Sequence, residues 1–194
     1  PQERSRLMNF FARLMFLTGI FFASMGILFT GQIIGIIFGR EYQSSVPLLR
    51  ILILNVLFVY INITYGNPLT AWNKQKSYSY AIAAGAVVNV ILNFILIPKY
   101  FAYGAAIATI FSEVAVLAGL AYIHRLTTGE LYLDLLMKAG GCFIIVVFSG
   151  RVLLLLGLAW WLVLILSLLI FLFTVIKLNL FSIAIYNEFV NEKV

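Results

Sequence analysis

Residues 73–113 read NKQKSYSYAIAAGAVVNVILNFILIPKYFAYGAAIATIFSE. The stretch is a basic turn, an apolar run long enough to cross a bilayer, a short turn and the first half of a second apolar run. Three side chains within these runs, Asn89, Asn93 and Glu113, fall at hydrocarbon depth, where an unpaired amide or carboxylate is expensive. A sequence carries such groups there when they pair with another helix or face a hydrated path.

The rest of the chain has the same character. Of its 194 residues, 63% are hydrophobic and 10% charged, against about 25% charged in a soluble domain. A soluble core of this length cannot hide that much apolar surface, so the expected fold is an all-α, polytopic membrane helical bundle. The chain opens Pro1-Gln2-Glu3 with no short apolar signal segment, which reads as a fragment or the C-terminal part of a longer protein. One cysteine, Cys142, rules out an internal disulfide and a cysteine-rich metal site, and reads as a small apolar packing residue. The net charge of +6 is not gathered into a stripe that would hold nucleic acid. In a membrane protein, excess Lys and Arg mainly encode topology.

About six apolar runs approach the ~20 residues a helical span needs, near residues 14–38, 51–72, 78–97, 104–123, 136–154 and 158–176, forming one membrane domain over 1–194. The connections carry turn chemistry: Gly39-Arg40-Glu41-Tyr42 with Pro47, Asn73-Lys74-Gln75-Lys76, Pro98-Lys99-Tyr100, and His124 to Asp134. A last turn near Gly157 puts Trp160 and Trp161 at the interface and lets Arg151 snorkel outward. Six spans place both termini on one side. That side collects Arg4, Arg6, Arg13, Lys74, Lys76, Arg125, Lys138, Lys177 and Lys193, against Arg40, Arg50, Lys99 and Arg151 opposite. By the positive-inside rule both termini, and the Asn73–Lys76 turn, are cytoplasmic. The tail, residues 177–194, alternates apolar and polar residues from Asn179 onward and reads either as a surface amphipathic helix or as a disordered end.

Gly85, Asn89 and Asn93 recur at i, i+4, i+8 and so share a helix face, with Tyr78 near the same stripe. Gly104, Ala105 and Ala108 open the next helix with a small-residue run that permits close approach. Ala105, Thr109 and Glu113 form its own i, i+4, i+8 stripe, with Ser112 alongside. Asn89, Asn93 and Thr109 have two readings, as hydrogen-bonding glue between helices or as lining of a substrate path. Glu113, tenth in its span, cannot snorkel easily; it either serves transport or proton coupling, or is paired structurally. Asn55 and Asn62 share a face, with Gly66 a turn further, and Asn67-Pro68 should disturb the end of that helix. Arg13 and Arg50, at helix starts, either anchor to headgroups or attract an anionic lipid substrate.

Catalysis finds little support. His124 and Asp134, the one His and one Asp, fall in the same connection, and His124 suits a helix C-terminus. No nucleophile–base pair, metal-ligand spacing or phosphate-binding glycine loop is visible, so an enzyme, a bound metal and a cofactor are not expected.

An ordered set of segments over residues 38–113 resembles the polysaccharide-transporter branch of the MOP flippase superfamily, which includes O-antigen (lipopolysaccharide) and other lipid-linked oligosaccharide flippases. The segments are Phe38-Gly39-Arg40-Glu41-Tyr42, Leu49-Arg50-Ile51-Leu52, Leu69-Thr70-Ala71-Trp72-Asn73-Lys74-Gln75-Lys76, Gly85-Ala86-Val87-Val88-Asn89 with Asn93, Leu96-Ile97-Pro98, and Gly104-Ala105-Ala106-Ile107-Ala108-Thr109 with Ser112-Glu113. One departure is Phe101, where members usually carry glycine after the Pro-Lys-Tyr turn. The resemblance implies most of one lobe of a two-lobed transporter plus two C-terminal helices, with the N-terminal lobe absent. It implies flipping of an undecaprenyl-diphosphate-linked glycan across a bacterial inner membrane, coupled to an ion gradient, with Glu113, Asn62, Asn89 and Asn93 in the polar interior. Alternatives are a multidrug-type exporter of the same superfamily and a non-transporting membrane scaffold. A membrane-embedded glycan polymerase or acyltransferase would need acidic, Arg or His clusters on outer loops that carry only Arg40, Glu41, Arg50, Lys99 and Arg151.

Overall fold

At hydrocarbon depth every backbone N–H and C=O must find its partner within the protein, and a helix achieves this locally. In the computed structural model, which describes residues 2–129 and 131–181, every element is accordingly helical. These are α1 (Gln2–Leu28), α2 (Thr30–Ile37), a 3-10 helix (Arg40–Ser45), α3 (Val46–Ala71), α4 (Gln75–Thr128), α5 (Leu133–Leu155) and α6 (Trp160–Lys177). Five helical stretches among them are long and apolar enough to cross a membrane, so the protein is an all-α polytopic membrane bundle. Residues 182–194 of the tail lie outside the described residues.

The chain forms two compact units. The first comprises residues 1–29 and 132–194. In it α1 packs on α5 and α5 on α6. Ala12, Phe16, Ile20 and Ala23 of α1, at helical spacing, are buried. Gly150 of α5 lies where all three helices meet: a Cβ there would stand 2.6 Å from Leu28 Cδ1 and 3.0 Å from Ser167 Oγ. Arg13 ties α1 to the end of α6, donating from Nη1 to the carbonyls of Asn179 (2.6 Å) and Leu180 (3.1 Å).

Three helices end in the same way. α3, α5 and α6 each finish on a residue in the left-handed region, Asn73 (φ 56°), Gly157 (φ 80°) and Asn179 (φ 51°). In each, the next N–H bonds back to a carbonyl five residues earlier: Lys74 to Leu69, Leu158 to Leu153, and Leu180 to Val175. This double-bonded ending satisfies carbonyls that the helix leaves open, and Gly and Asn are the residues that tolerate its backbone.

The second unit, residues 30–131, is built on α3 and α4. A straight helix of α4's 54 residues would run about 80 Å, far beyond a hydrocarbon core of about 30 Å. It folds back instead at Phe101, whose φ of 50° and ψ of −128° are not helical. Contacts between its two arms step inward toward that residue: Ala81 with Gly119, Gly85 with Val116, Asn89 with Ser112, and Leu96 with Gly104. The arms are therefore an antiparallel hairpin. A Cβ on Gly85 would overlap Val116 Cγ2, and one on Gly104 would overlap the Leu96 carbonyl and stand 2.9 Å from the Ile97 nitrogen.

The helices differ in places from the sequence pattern. α1 begins at Gln2 and the apolar run 14–38 is interrupted at Phe29, between Gly26 and Gly31, two poor helix formers. α3 runs through Pro68 and stops three residues later, so the proline sits in a final turn, where the ladder is ending anyway. Helix also continues through Pro98-Lys99-Tyr100, and the reversal falls on Phe101.

Phe101 occupies backbone space that glycine favours, at a cost of about 1–3 kcal/mol for a side-chain-bearing residue. The residue is 77% exposed, so little burial would be lost on removing its side chain. Phe101→Gly should raise stability against denaturant in detergent by about 1 kcal/mol after glycine's added chain entropy. Gly104→Ala should lower it by about 1–3 kcal/mol, because the atoms in the way are backbone.

Candidate functional site

The second arm of α4 buries Gly104, Ala108, Ser112, Val116, Leu120 and His124, one residue every four. Gly104, Ser112 and Val116 of this stripe meet the first arm, where Ala81 and Gly85 are buried, and Leu120 and His124 meet α3. With glycine at the crossing, the arms approach closely enough for Asn89 Nδ2 to donate to Ser112 Oγ at 3.1 Å. Ser112 Oγ in turn donates to the Thr109 carbonyl at 2.8 Å, and Asn93 Nδ2 donates to Asn89 Oδ1 at 2.8 Å. The result is a directed chain from Asn93 through Asn89 and Ser112 to the backbone of the opposite arm.

Glu113 lies beside the stripe and turns toward α3. Asn62 Nδ2 donates to its Oε2 at 2.6 Å and to its backbone carbonyl at 3.2 Å. Asn62 is 7% exposed, and its own Oδ1 is buried with no hydrogen-bond partner, as are those of Asn55 and Asn93. No cationic side chain pairs with Glu113 among the described residues; the ion pair found there, Lys138 with Asp134 at 2.7 Å, is exposed on α5. Twelve residues separate Phe101 from Asn89 on one side and from Glu113 on the other, which is about 18 Å of helix. With the turn at one interface, the polar layer lies near the middle of a ~30 Å core.

Glu113, Asn62, Asn89 and Asn93 are therefore gathered in one unit, in two clusters that adjoin because Ser112 of one and Glu113 of the other are consecutive residues. Gly85, Gly104 and Ala108 lie in the hairpin seam. Ala105 and Thr109 lie off it; the Thr109 hydroxyl donates to the Ala105 carbonyl of its own helix at 3.0 Å. Arg13 is engaged by the end of α6, and Arg50, half-buried in the second turn of α3, makes no ion pair among the described residues. His124 is fully buried, edge-on to Tyr65 (5.3 Å between centroids) and near Trp72 (6.0 Å). The sequence puts it in the connection after the helix, whereas the helix continues to Thr128; its burial was not legible either, because the i+4 stripe that carries it starts twenty residues earlier. Cys142 is buried in α5, and no cluster of metal-ligating side chains occurs among the described residues.

No family profile matches the chain, and no solved structure does. Among curated proteins, it is 36% identical over 91 residues to a probable low-salt glycan biosynthesis flippase, Agl15, of Haloferax volcanii, covering 46% of this chain and 19% of that protein. It is 30% identical over 118 residues to the capsular polysaccharide biosynthesis protein CapF of Staphylococcus aureus, covering 58% and 30%. An uncharacterized membrane protein of Methanocaldococcus jannaschii is 35% identical over 83 residues, covering 43% and 16%. The matched part thus spans less than a third of each of these relatives.

The two clusters predict different sensitivities. Glu113→Gln keeps an oxygen for Asn62 and should change stability by less than about 1 kcal/mol, whereas Glu113→Leu strands the amide and should cost about 1–3 kcal/mol. A double-mutant cycle of Asn89→Val with Ser112→Ala, read by unfolding in detergent, should return a coupling of about 0.5–1.7 kcal/mol.

Proposed function

We propose that this chain is part of a membrane transporter that flips a lipid-linked glycan across the cell membrane, coupled to an ion gradient through Glu113. The observation that carries the reading is the carboxylate of Glu113, about twelve residues along the helix from the turn at Phe101, held by an amide and, among the described residues, by no cation. A carboxyl group in that position draws its neutralising charge from outside, as a proton or a small cation. Asn62 suits both conditions of the group: its Nδ2 donates to the carboxylate, and its unpartnered Oδ1 can accept from the acid after a half-turn of the amide. Asn89 and Asn93 extend the polar layer, a surface where sugar hydroxyls exchange hydrogen bonds with water for bonds with amides.

The names of two relatives, a glycan biosynthesis flippase and a capsular polysaccharide biosynthesis protein, favour a glycan cargo over a drug-like one. The cargo of this reading is an undecaprenyl-diphosphate-linked oligosaccharide, whose lipid tail stays in the bilayer while its headgroup crosses a polar cavity. The remaining wall of that cavity is an N-terminal lobe of the same protein. In this reading the Asn73–Lys76 turn and both ends of the segment face the cytoplasm, the side that the charge distribution favours. The lipid bilayer and the lipid-linked glycan are the partners; nucleic acid is not one.

The gene expressed with its native flanking sequence should restore surface glycan to a flippase-deficient strain. Glu113→Gln, at unchanged membrane abundance, should reduce export at least about tenfold, the equivalent of roughly 1.4 kcal/mol. Full export by that variant would remove Glu113 from the mechanism. Failure of the unsubstituted gene in every glycan-exporting host would favour a scaffold.

A further inference from the structure

We propose that the end of the α4 hairpin remote from Phe101 binds the headgroups of anionic phospholipids through Lys74, Lys76 and Arg125. The contacts that pair the arms, Ala81 with Gly119 and Gly85 with Val116, fix a register that sets Lys76 level with Arg125. The same register puts Tyr80 and Tyr122 at one depth, each 21 residues from Phe101, about 31 Å of helix. A hydrocarbon core is about 30 Å thick, so with the reversal at one interface the two phenols stand at the other. Lys76 and Arg125, 25 and 24 residues from Phe101, lie about 36–38 Å from it, at the depth of headgroup phosphates.

Both arms carry the same outward order. Lys76 and Tyr80 are four residues apart and Tyr122 and Arg125 three, so each cation shares a helix face with a tyrosine. Tyr80 is 74% exposed and Tyr122 66%, and all three cations are exposed. Toward Phe101 the same faces become apolar, with Phe94 and Phe111 exposed. Charge complementarity then selects the occupant. Residues 66–82 and 114–129 hold these three cations and no Asp or Glu; Glu130, the next acid in the chain, lies outside the described residues. None of the three makes an ion pair among the described residues, where the ion pair found is Lys138 with Asp134. The opposite end of the hairpin has a single cation, Lys99, between residues 90 and 110. An anionic headgroup gains about fivefold in affinity from each neighbouring Lys or Arg. A zwitterionic headgroup brings its own cation and gains little. A soluble anion has no acyl chains to lie along the apolar faces below the tyrosines. The inference does not rest on glycan transport and holds equally for a scaffold.

The test is p-benzoylphenylalanine in place of Tyr122 in the protein expressed from its native gene. The protein is irradiated in vesicles of equal parts phosphatidylglycerol and phosphatidylcholine, and the adducts are identified by mass spectrometry. Phosphatidylglycerol adducts should exceed phosphatidylcholine adducts at least about fivefold. Lys74→Gln, Lys76→Gln and Arg125→Gln together should bring the two to within about twofold of each other. Lys74→Arg with Lys76→Arg, and separately Lys99→Gln at the opposite end, should each leave the preference within about twofold of its original value. Equal adducts in the unsubstituted protein would overturn the proposal, as would a preference that survives the triple replacement or falls equally with Lys99→Gln. Adducts to protein alone would overturn it in favour of a covering helix, and loss of the preference to millimolar inorganic phosphate in favour of a soluble anion. The three side chains are exposed, so their replacement leaves the helix packing in place.

Discussion

The polar layer depends on how closely the two arms of α4 approach. Where Gly85 faces Val116 and Gly104 faces the Leu96 backbone, there is no room for a Cβ. That approach brings Asn89 within 3.1 Å of Ser112 and sets the rotation of the second arm about its own axis. The same rotation presents Glu113 to Asn62 of α3. Lipid provides little hydrophobic drive for helices to associate, so small residues and hydrogen bonds must hold them together. Here glycine sets the distance, and the amides and the hydroxyl exploit it.

Much of this could be read from residue spacing. Gly85 and Asn89 of the i, i+4, i+8 series lie on the first arm's contact face, and Asn93 bonds back to Asn89. On the second arm the pattern Ala105, Thr109, Glu113 is offset by one from the face that is buried, which runs Gly104, Ala108, Ser112, Val116. Adjacent helical residues differ by about 100°, so both stripes read as plausible faces in a helix of small and apolar side chains. Only the neighbouring helices decide between them. Ser112 therefore links the arms, and Glu113 is directed to α3. The burial of His124 was hidden for the same reason, since it requires Tyr65 and Trp72 of another helix.

The turns divide along similar lines. Basic and glycine-containing connections were visible as composition, whereas the double-bonded endings at Asn73, Gly157 and Asn179 are backbone events that leave only an Asn or Gly behind. Phe101 stood out in the sequence as a phenylalanine where the resemblance implies glycine, and its positive φ gives that departure a physical meaning. The interruption at Phe29 has no polar marker in an otherwise apolar run. The role of Arg13 depends on carbonyls more than 160 residues away in sequence, a separation at which no local pattern reports.

The choice of Asn62 as the partner of Glu113 bears on what the pair can do. A buried carboxylate matched by lysine or arginine loses about 3–5 kcal/mol when the pair is broken, which suits a permanent brace. A hydrogen bond from a neutral amide to a charged acceptor contributes about 1.5–3 kcal/mol, and the amide offers a donor and an acceptor at nearly the same place. Turning the Asn62 amide would offer its oxygen to a carboxylic acid and give up its bond to the Glu113 backbone carbonyl. On stability alone an apolar pair would fill the site as well or better. The proposal that Glu113 takes part in a transport cycle starts from this pairing of a carboxylate with a neutral amide in place of a cation.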